Sequence, residues 1–324
     1  ADKILINAKL TDASSNKQLW SESFEGNMSD LFSLQDKVTQ RISASLGPQM
    51  LIVAASESEK RKTNPQASDL ILRSRALVFK GNDPATLEQR IELLKQALKL
   101  EPNNLNAMSS IANLLVLLAP RSLEQELRKS RFNEAHALAL KVKEIDPNNI
   151  WVYYTLSIYD RENDDLLGAK QNQEKFLELN PNTREVVIYA NILIQYGETT
   201  KALEILSRSY KSNSNFPSDS TIGALGRTHL VLGQTDIAID YLSKAIKINS
   251  KTATTMAMLA VAHTMKGETN QAAAAVAEVK KLNPNATSAN LNYIFKPLSA
   301  SVPAYKEWYE KTYMPAYRKA GFIE

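Results

Sequence analysis

No cysteine occurs in this 324-residue sequence. That excludes disulfide bonds and thiolate chemistry, and it fits either a reducing cytoplasm or a bacterial periplasm. Glycine is scarce, at 10 residues, and aromatic residues make up 7%, a balance that favours helices over an all-β domain. Long apolar runs are missing too: the longest, such as "MLIVAA" at 50–55, fall far short of a membrane span, and no signal peptide is visible. Neither sign of charge dominates. The formal balance of +4 arises from interspersed Lys/Arg and Asp/Glu, and the one basic run, "EKRK" at 59–62, is too short for a nucleic-acid footprint and reads as a solvated linker. The chain also lacks an initiator Met, so a trimmed or processed product is expected.

What is present is a repeat. "ALKLEPNN" at 97–104 returns as "VKEIDPNN" at 142–149, "FLELNPN" at 176–182, "AIKINSK" at 245–251 and "VKKLNPN" at 279–285. The anchors Pro102, Pro147, Pro181, Pro217, Ser250 and Pro284 lie 45, 34, 36, 33 and 34 residues apart. A second ruler agrees: Ala135, Ala169, Ala202, Ala238 and Ala272 open helices at intervals of 34, 33, 36 and 34. Gly197, Gly233 and Gly267 mark turns between paired helices. Two rulers with one period predict a row of units, each helix, short turn, helix, Pro-marked turn. Proline cannot continue a helix and pushes the residue before it towards extended conformation. Asn and Asp beside it tolerate turn geometry. Small Ala where paired helices meet lets their axes approach closely.

The residues of 218–250 resemble the tetratricopeptide repeat. Leu225, Gly226, Gly233, Ala238, Ala245 and Ser250 stand where that family has Leu, Gly, Gly, Ala, Ala and Pro, while Ile222 replaces its Trp and His229 its Tyr. Six helix pairs are expected over 66–285, the first two degenerate, with about eleven extra residues ("APRSLEQELRKSR", 119–131) inside the second. The expected fold is therefore mainly α: a tetratricopeptide-like α-solenoid.

Residues 1–48 break the pattern. "KILINAKLTDA" and "QLWSESFEG" read as two strands joined by a polar turn at 14–17, and Leu31, Leu34, Val38, Ile42 and Leu46 then recur at helical spacing until Gly47-Pro48. The order resembles the TolB-like α/β segment that precedes tetratricopeptide-type repeats in the C-terminal regulatory portions of bacterial class III adenylate cyclases and winged-helix regulators. That resemblance continues through 67–82 to the tail "YRKAGFIE" and so covers nearly the whole chain. It implies the regulatory half of a signalling protein whose output domain lies before residue 1. A linker is expected at 49–65 and a helical cap at 286–324, where Tyr305, Trp308, Tyr309, Tyr313 and Tyr317 follow a helical pattern ending in Gly321. The alternative for that tail is that it docks in the chain's own groove. The edge of the first strand at 4–10 favours self-pairing.

Chemistry is sparse. The histidines, His136, His229 and His263, have no Cys, His or carboxylate at metal-ligand spacing around them, and a packing role is favoured. "ENDD" at 162–165 falls in a turn and lacks the spaced ligands of a calcium loop. No Gly-rich phosphate loop, G-x-S-x-G or H-E-x-x-H is present. No cofactor, metal or catalytic residue is therefore predicted, and no nucleic-acid or membrane contact. The remaining candidate is a surface. In the repeat family the first helix of each pair lines an inner, concave face that holds peptides. Carried onto this sequence, the resemblance implies Trp151, Tyr154, Ile158 and Arg161 in the third copy and Arg184, Val187, Asn191 and Gln195 in the fourth. The fifth and sixth supply Arg227, Leu230, Thr254 and Met265. Asn and Arg can grip a peptide backbone or carboxylate, and Trp and Tyr give rigid apolar contact. A protein or peptide partner is expected, or another copy of the chain, in the cytoplasm or alternatively the periplasm.

Overall fold

The structure is a computed structural model. It describes residues 3–11, 16, 18–27, 51, 55–56, 65–81, 83–122, 124–181, 183, 185–212, 218–283, 291 and 295–322. The expected helix at 29–46, most of the linker, Pro217, Pro284 and Arg184 lie outside them. The chain forms two compact units, Ala1–Leu114 and Leu115–Glu324.

The first unit opens with an antiparallel hairpin of β1 (Lys3–Thr11) and β2 (Gln18–Asn27), paired from Lys3↔Asn27 to Leu10↔Trp20, with an irregularity at Leu10/Thr11. The alternation read from the sequence is realised: Ile4, Ile6, Ala8 and Leu10 are half-buried while Lys3, Leu5, Asn7 and Lys9 face outwards. Across the outer face the Ser23 hydroxyl donates to Asn7 Oδ1 at 2.6 Å. The first helix pair follows, α1 (Ala67–Ala76) and α2 (Pro84–Leu100). Asp83 caps α2 by accepting from the Thr86 N–H, with Pro84 in the first turn, where a missing N–H costs nothing. Arg90 Nε donates to the Ser74 carbonyl and the Ser74 hydroxyl to the Arg90 carbonyl, stitching α1 to α2.

Helix α3 (Leu105–Leu118) contains the division between the units. The second unit continues with α4 (Gln125–Ile145), α5 (Ile150–Glu162) and α6 (Leu166–Leu179), then α7 (Val187–Gln195) and α8 (Thr199–Ser212). It goes on through α9 (Asp219–Val231), α10 (Thr235–Ile248), α11 (Ala253–Lys266) and α12 (Thr269–Leu282). Pairs α5/α6, α7/α8, α9/α10 and α11/α12 are antiparallel hairpins, and successive pairs stack on one another. Of the extra residues in the second copy, 119–121 form a 3-10 turn and Gln125–Arg131 extend α4 by about two turns, so most of the insertion is helix rather than loop.

The repeated ending has a single geometry. Helices stop at Leu100, Ile145, Leu179, Ile248 and Leu282, and the next residue always takes an extended φ/ψ: Glu101 (−131°, 83°), Asp146 (−131°, 87°), Asn180 (−141°, 71°), Asn249 (−137°, 94°) and Asn283 (−144°, 87°). Proline stands directly after four of these five, so its steric demand on the preceding residue is the sequence's stop signal. Asn249, followed by Ser250, keeps the same conformation.

The other turn is equally regular. Gly197, Gly233 and Gly267 have φ of 79°, 72° and 77°, the left-handed region where a Cβ is penalised. In the third copy that place is held by Asp164 at φ 65°, within the "ENDD" turn. Asp is one of the few side chains that tolerates it. Asp165 then caps α6, accepting from the Gly168 N–H at 2.8 Å. Between paired helices the small residues vanish from the surface: Ala169, Ala202 and Ala238 are wholly buried, and Gly226 lies so close to Leu242 that an added Cβ would meet its Cγ at 2.7 Å.

The tail forms a short helix α13 (Pro303–Trp308), a π-helical turn (Tyr309–Tyr313) and α14 (Met314–Lys319). Phe295 stacks on Tyr313 at 4.4 Å, Trp308 lies 5.4 Å from Tyr313, and Tyr317 stacks on Phe322 at 4.7 Å. This ladder joins Met256, Ala260, Val261, Val276 and Val279 of the last pair in one core, so it covers the end of the row. It is not confined there.

Candidate functional site

From its aromatic ladder the tail sends an arm, residues 296–305, back past the first-helix ends and the turns that join paired helices in the earlier repeats. Gln195, the last residue of α7, receives it. The Gln195 Oε1 accepts from the Ser301 hydroxyl at 2.7 Å and from the Leu298 N–H at 3.1 Å, and the Gln195 carbonyl accepts from the Val302 N–H at 2.9 Å. One repeat earlier, the Asp164 carboxylate accepts from the Ser299 N–H at 2.7 Å. The last carbonyls of a helix have no intrahelical donor, so a passing N–H at α7 satisfies an acceptor that would otherwise need water. Ser299, through its side chain first and its N–H second, holds the Asp164 carboxyl below its ordinary value.

Apolar anchors alternate with these bonds. Leu298 packs on Leu166, Ala169 and Ile192. Val302 and Tyr305 join the core of α7, α8 and α9, with Val302 methyls 3.4 and 3.8 Å from where a Gly197 Cβ would stand. The Tyr305 hydroxyl donates to the Phe295 carbonyl at 2.8 Å, closing the arm on itself. Burial pushes the Tyr305 phenol well above its ordinary range, against the opposing pull of Arg227 and Arg161. The Arg227 guanidinium carbon lies 5.6 Å over the Phe295 ring.

The structure brings together several of the residues expected on the inner face and scatters others. Arg161, Gln195, Arg227 and Leu230 gather around the tail, and Val187 packs against the core that takes Tyr305. Gln195, Arg227 and Leu230 are buried rather than presented to solvent, because the arm and ladder lie over them. Leu230 and Met265 line an open cleft of about 650 Å³ with Trp308 and Lys311 of the tail. Tyr154 is buried against Phe176 with Ile158 beside it, while Trp151 is 40% exposed and meets Tyr154 edge-on at 5.8 Å. Asn191 Oδ1 and Gln195 Nε2 are buried with no hydrogen-bond partner among the described residues. Thr254 is half-buried, and Arg184 lies outside the described residues.

Sequence reasoning did not single out Leu298, Ser299, Ser301 or Val302, and it met Asp164 only within the "ENDD" turn. A usable signal was Asp at a repeat position that is Gly in three other copies. The histidines are packed and bonded: His136 stacks on Tyr159 at 3.9 Å, His229 Nδ1 contacts Gln234 Oε1 at 2.6 Å, and His263 Nδ1 contacts Glu268 Oε2 at 2.6 Å. Among the described residues no group of three His, Cys, Asp or Glu converges, and no helix is long and apolar enough to cross a membrane.

Comparison with known proteins agrees with this architecture. The tetratricopeptide repeat family matches residues 220–252, which span α9 and α10. A protein named "Putative adenylate cyclase 3" from Rhizobium meliloti (strain 1021) is 28% identical over 162 residues, 49% of this chain and 27% of the relative. The chain thus spans about a quarter of that protein's length. Among solved structures, the APC/C hetero-tetramer Cut9-Hcn1 superposes with a TM-score of 0.61 at 12% identity, over 82% of this chain and 49% of that one. A thermophilic tetratricopeptide protein of Thermus thermophilus is 17% identical with a TM-score of 0.47, over 60% and 98% of the two chains. Tetratricopeptide folds are protein-interaction architectures and are typically non-enzymatic. Residues 220–252 thus match the tetratricopeptide repeat, in a row of helix pairs that is similar over about half the chain to part of a protein named as an adenylate cyclase.

Proposed function

We propose that the chain is a non-catalytic regulatory module of a bacterial signalling protein, which holds a peptide or partner domain against its first-helix face. The observation that carries this reading is the arm itself. A stretch of irregular polypeptide is gripped by the ends of successive first helices through its main-chain N–H groups and alternating apolar anchors. A face that holds one such segment has the chemistry to hold another. The exposed Trp151 beside Tyr154, with Arg161 near the arm, extends the same face in the third repeat, and rigid aromatics and Arg are the side chains that most often dominate binding energy.

The test is selection of 15-residue peptides by display on the full chain, with affinities measured for the wild type and for Trp151→Ala/Arg161→Ala. Selected peptides should bind the double variant at least tenfold more weakly while far-ultraviolet circular dichroism is unchanged. Equal affinity removes the face from the proposal.

The relative's name favours a second reading, in which this region belongs to a nucleotide cyclase and biases its output domain. ATP turnover by this chain alone is expected to be nil. Measurable cyclic nucleotide would place catalytic residues here and overturn the assignment. Self-association through the β1 edge is the remaining alternative, decided by mass in solution.

A further inference from the structure

Resting on the reading of the first-helix face as a binding surface, we propose that the arm 296–305 is a displaceable occupant of that face. The partner it excludes is a protein segment of the same chemistry: an aliphatic residue, then a serine followed by a second aliphatic, then a tyrosine, at the spacing of Leu298, Ser301, Val302 and Tyr305.

Three observations lead there. The arm is held at both ends by elements that do not depend on it. Phe295 is wholly buried in the last core, and Trp308, Tyr313 and Tyr317 pack into the same core beyond the arm. Tyr305 bonds the Phe295 carbonyl and stacks on Trp308 at 5.6 Å, so the stretch before it, 296–304, can lift while the ladder stays seated. Secondly, three of its hydrogen bonds to the repeats come from main-chain N–H groups, of Leu298, Ser299 and Val302, and any polypeptide supplies these. Identity enters through the Ser299 and Ser301 side chains and the anchors. Thirdly, the seat offers more than the arm uses: Gln195 Nε2 and, one turn earlier on α7, Asn191 Oδ1 are buried without a partner among the described residues, although buried polar groups are ordinarily satisfied. A segment that used them as well would hold the face better than the arm does.

The absence of cysteine makes the test clean. In the full chain, Asp164→Cys/Ser299→Cys places the only two thiols where the arm crosses the third repeat. The probe is a fluorescein-labelled synthetic peptide of residues 296–306, KPLSASVPAYK. Oxidation should lower its affinity at least tenfold, with recovery on reduction. Ser301→Ala/Val302→Ala, which loosens the arm, should raise affinity at least tenfold over the wild type. Equal binding by oxidised, reduced and loosened proteins, or no binding to any, overturns the inference. Amide hydrogen exchange gives a second measure: the N–H groups of Leu298, Ser299 and Val302 should exchange faster than those inside α7 and α9. Exchange only with unfolding of the repeats makes the arm a permanent strut and also overturns it. Display-selected peptides that respond to Trp151→Ala/Arg161→Ala but ignore the disulfide sink this inference alone; insensitivity to both sinks the general reading.

Discussion

Two glycines one helical turn apart in α9 should respond to alanine in opposite directions. Helix interiors favour Ala over Gly by about 1 kcal/mol, so each substitution begins with that gain. At Gly223 a new methyl would meet Thr255 Oγ1 at 3.4 Å and the Ala245 methyl at 4.0 Å, which is ordinary contact, and the gain survives. At Gly226 it would lie 2.7 and 2.9 Å from Leu242 Cγ and Cδ2 and 3.2 Å from the Ala238 carbonyl oxygen. Leu242 is fully buried and the carbonyl belongs to the partner helix, so neither can retreat without parting α9 from α10. Overpacking of this kind costs about 1–3 kcal/mol, and its upper range applies where backbone is touched. Gly223→Ala should therefore stabilise by about 1 kcal/mol and Gly226→Ala destabilise by about 1–2 kcal/mol. Urea denaturation followed by circular dichroism, with both variants and wild type in parallel, reads the difference as midpoints moving to either side. If Gly226→Ala proves as stable as Gly223→Ala, close approach of the paired helices is not what that glycine provides.

Tyr313→Ala removes a wholly buried ring that stacks on Phe295 and meets Trp308. It should cost about 3–5 kcal/mol, read as a lower urea midpoint with loss of near-ultraviolet dichroism. Gln195→Ala strands the Ser301 hydroxyl and should weaken the fold by about 1–2 kcal/mol, seen as faster exchange of the arm amides with α9 protected as before. The Asp164 carboxyl is held below its usual value in the folded state. Its contribution is therefore complete above the ordinary carboxylate range and lost as pH falls through the lowered value. The Ser299 amide resonance should move as pH drops below about 4 and stay fixed in Asp164→Asn; a shift common to both would exonerate that carboxyl.

Much of this architecture was legible because it rests on local rules repeated many times. Prolines two residues past each helix report a restricted φ/ψ that recurs at Glu101, Asp146, Asn180 and Asn283. Turn glycines report left-handed backbone, and the buried alanines report close axes. The hairpin was legible from alternation at 3–11 and 18–26. A docked tail stood only as the alternative to a cap, and the seat of the arm was not legible, for a physical reason. Periodicity shows which stripe of a helix is apolar but not what covers it, and Gln195 meets Ser301 across more than a hundred residues of sequence. Gln195, Arg227 and Leu230, expected on an inner face, lie on α7 and α9, and their burial depends on a distant segment. Copy two misled for another reason: "LEQELRKSR" is polar, but Leu, Gln, Glu, Arg and Lys are strong helix formers, and Gln125–Arg131 simply lengthen α4.

The arm's route has one more consequence. In an ordinary row of repeats each unit touches only its neighbours, so one end can melt while the other stays folded. Here a single covalent stretch clasps α14 to α11, Tyr305 to α7 and α9, and Ser299 to the turn after α5. Repeats three to six are thereby laced together. Heat or denaturant should dissolve them in one concerted transition instead of peeling them away singly.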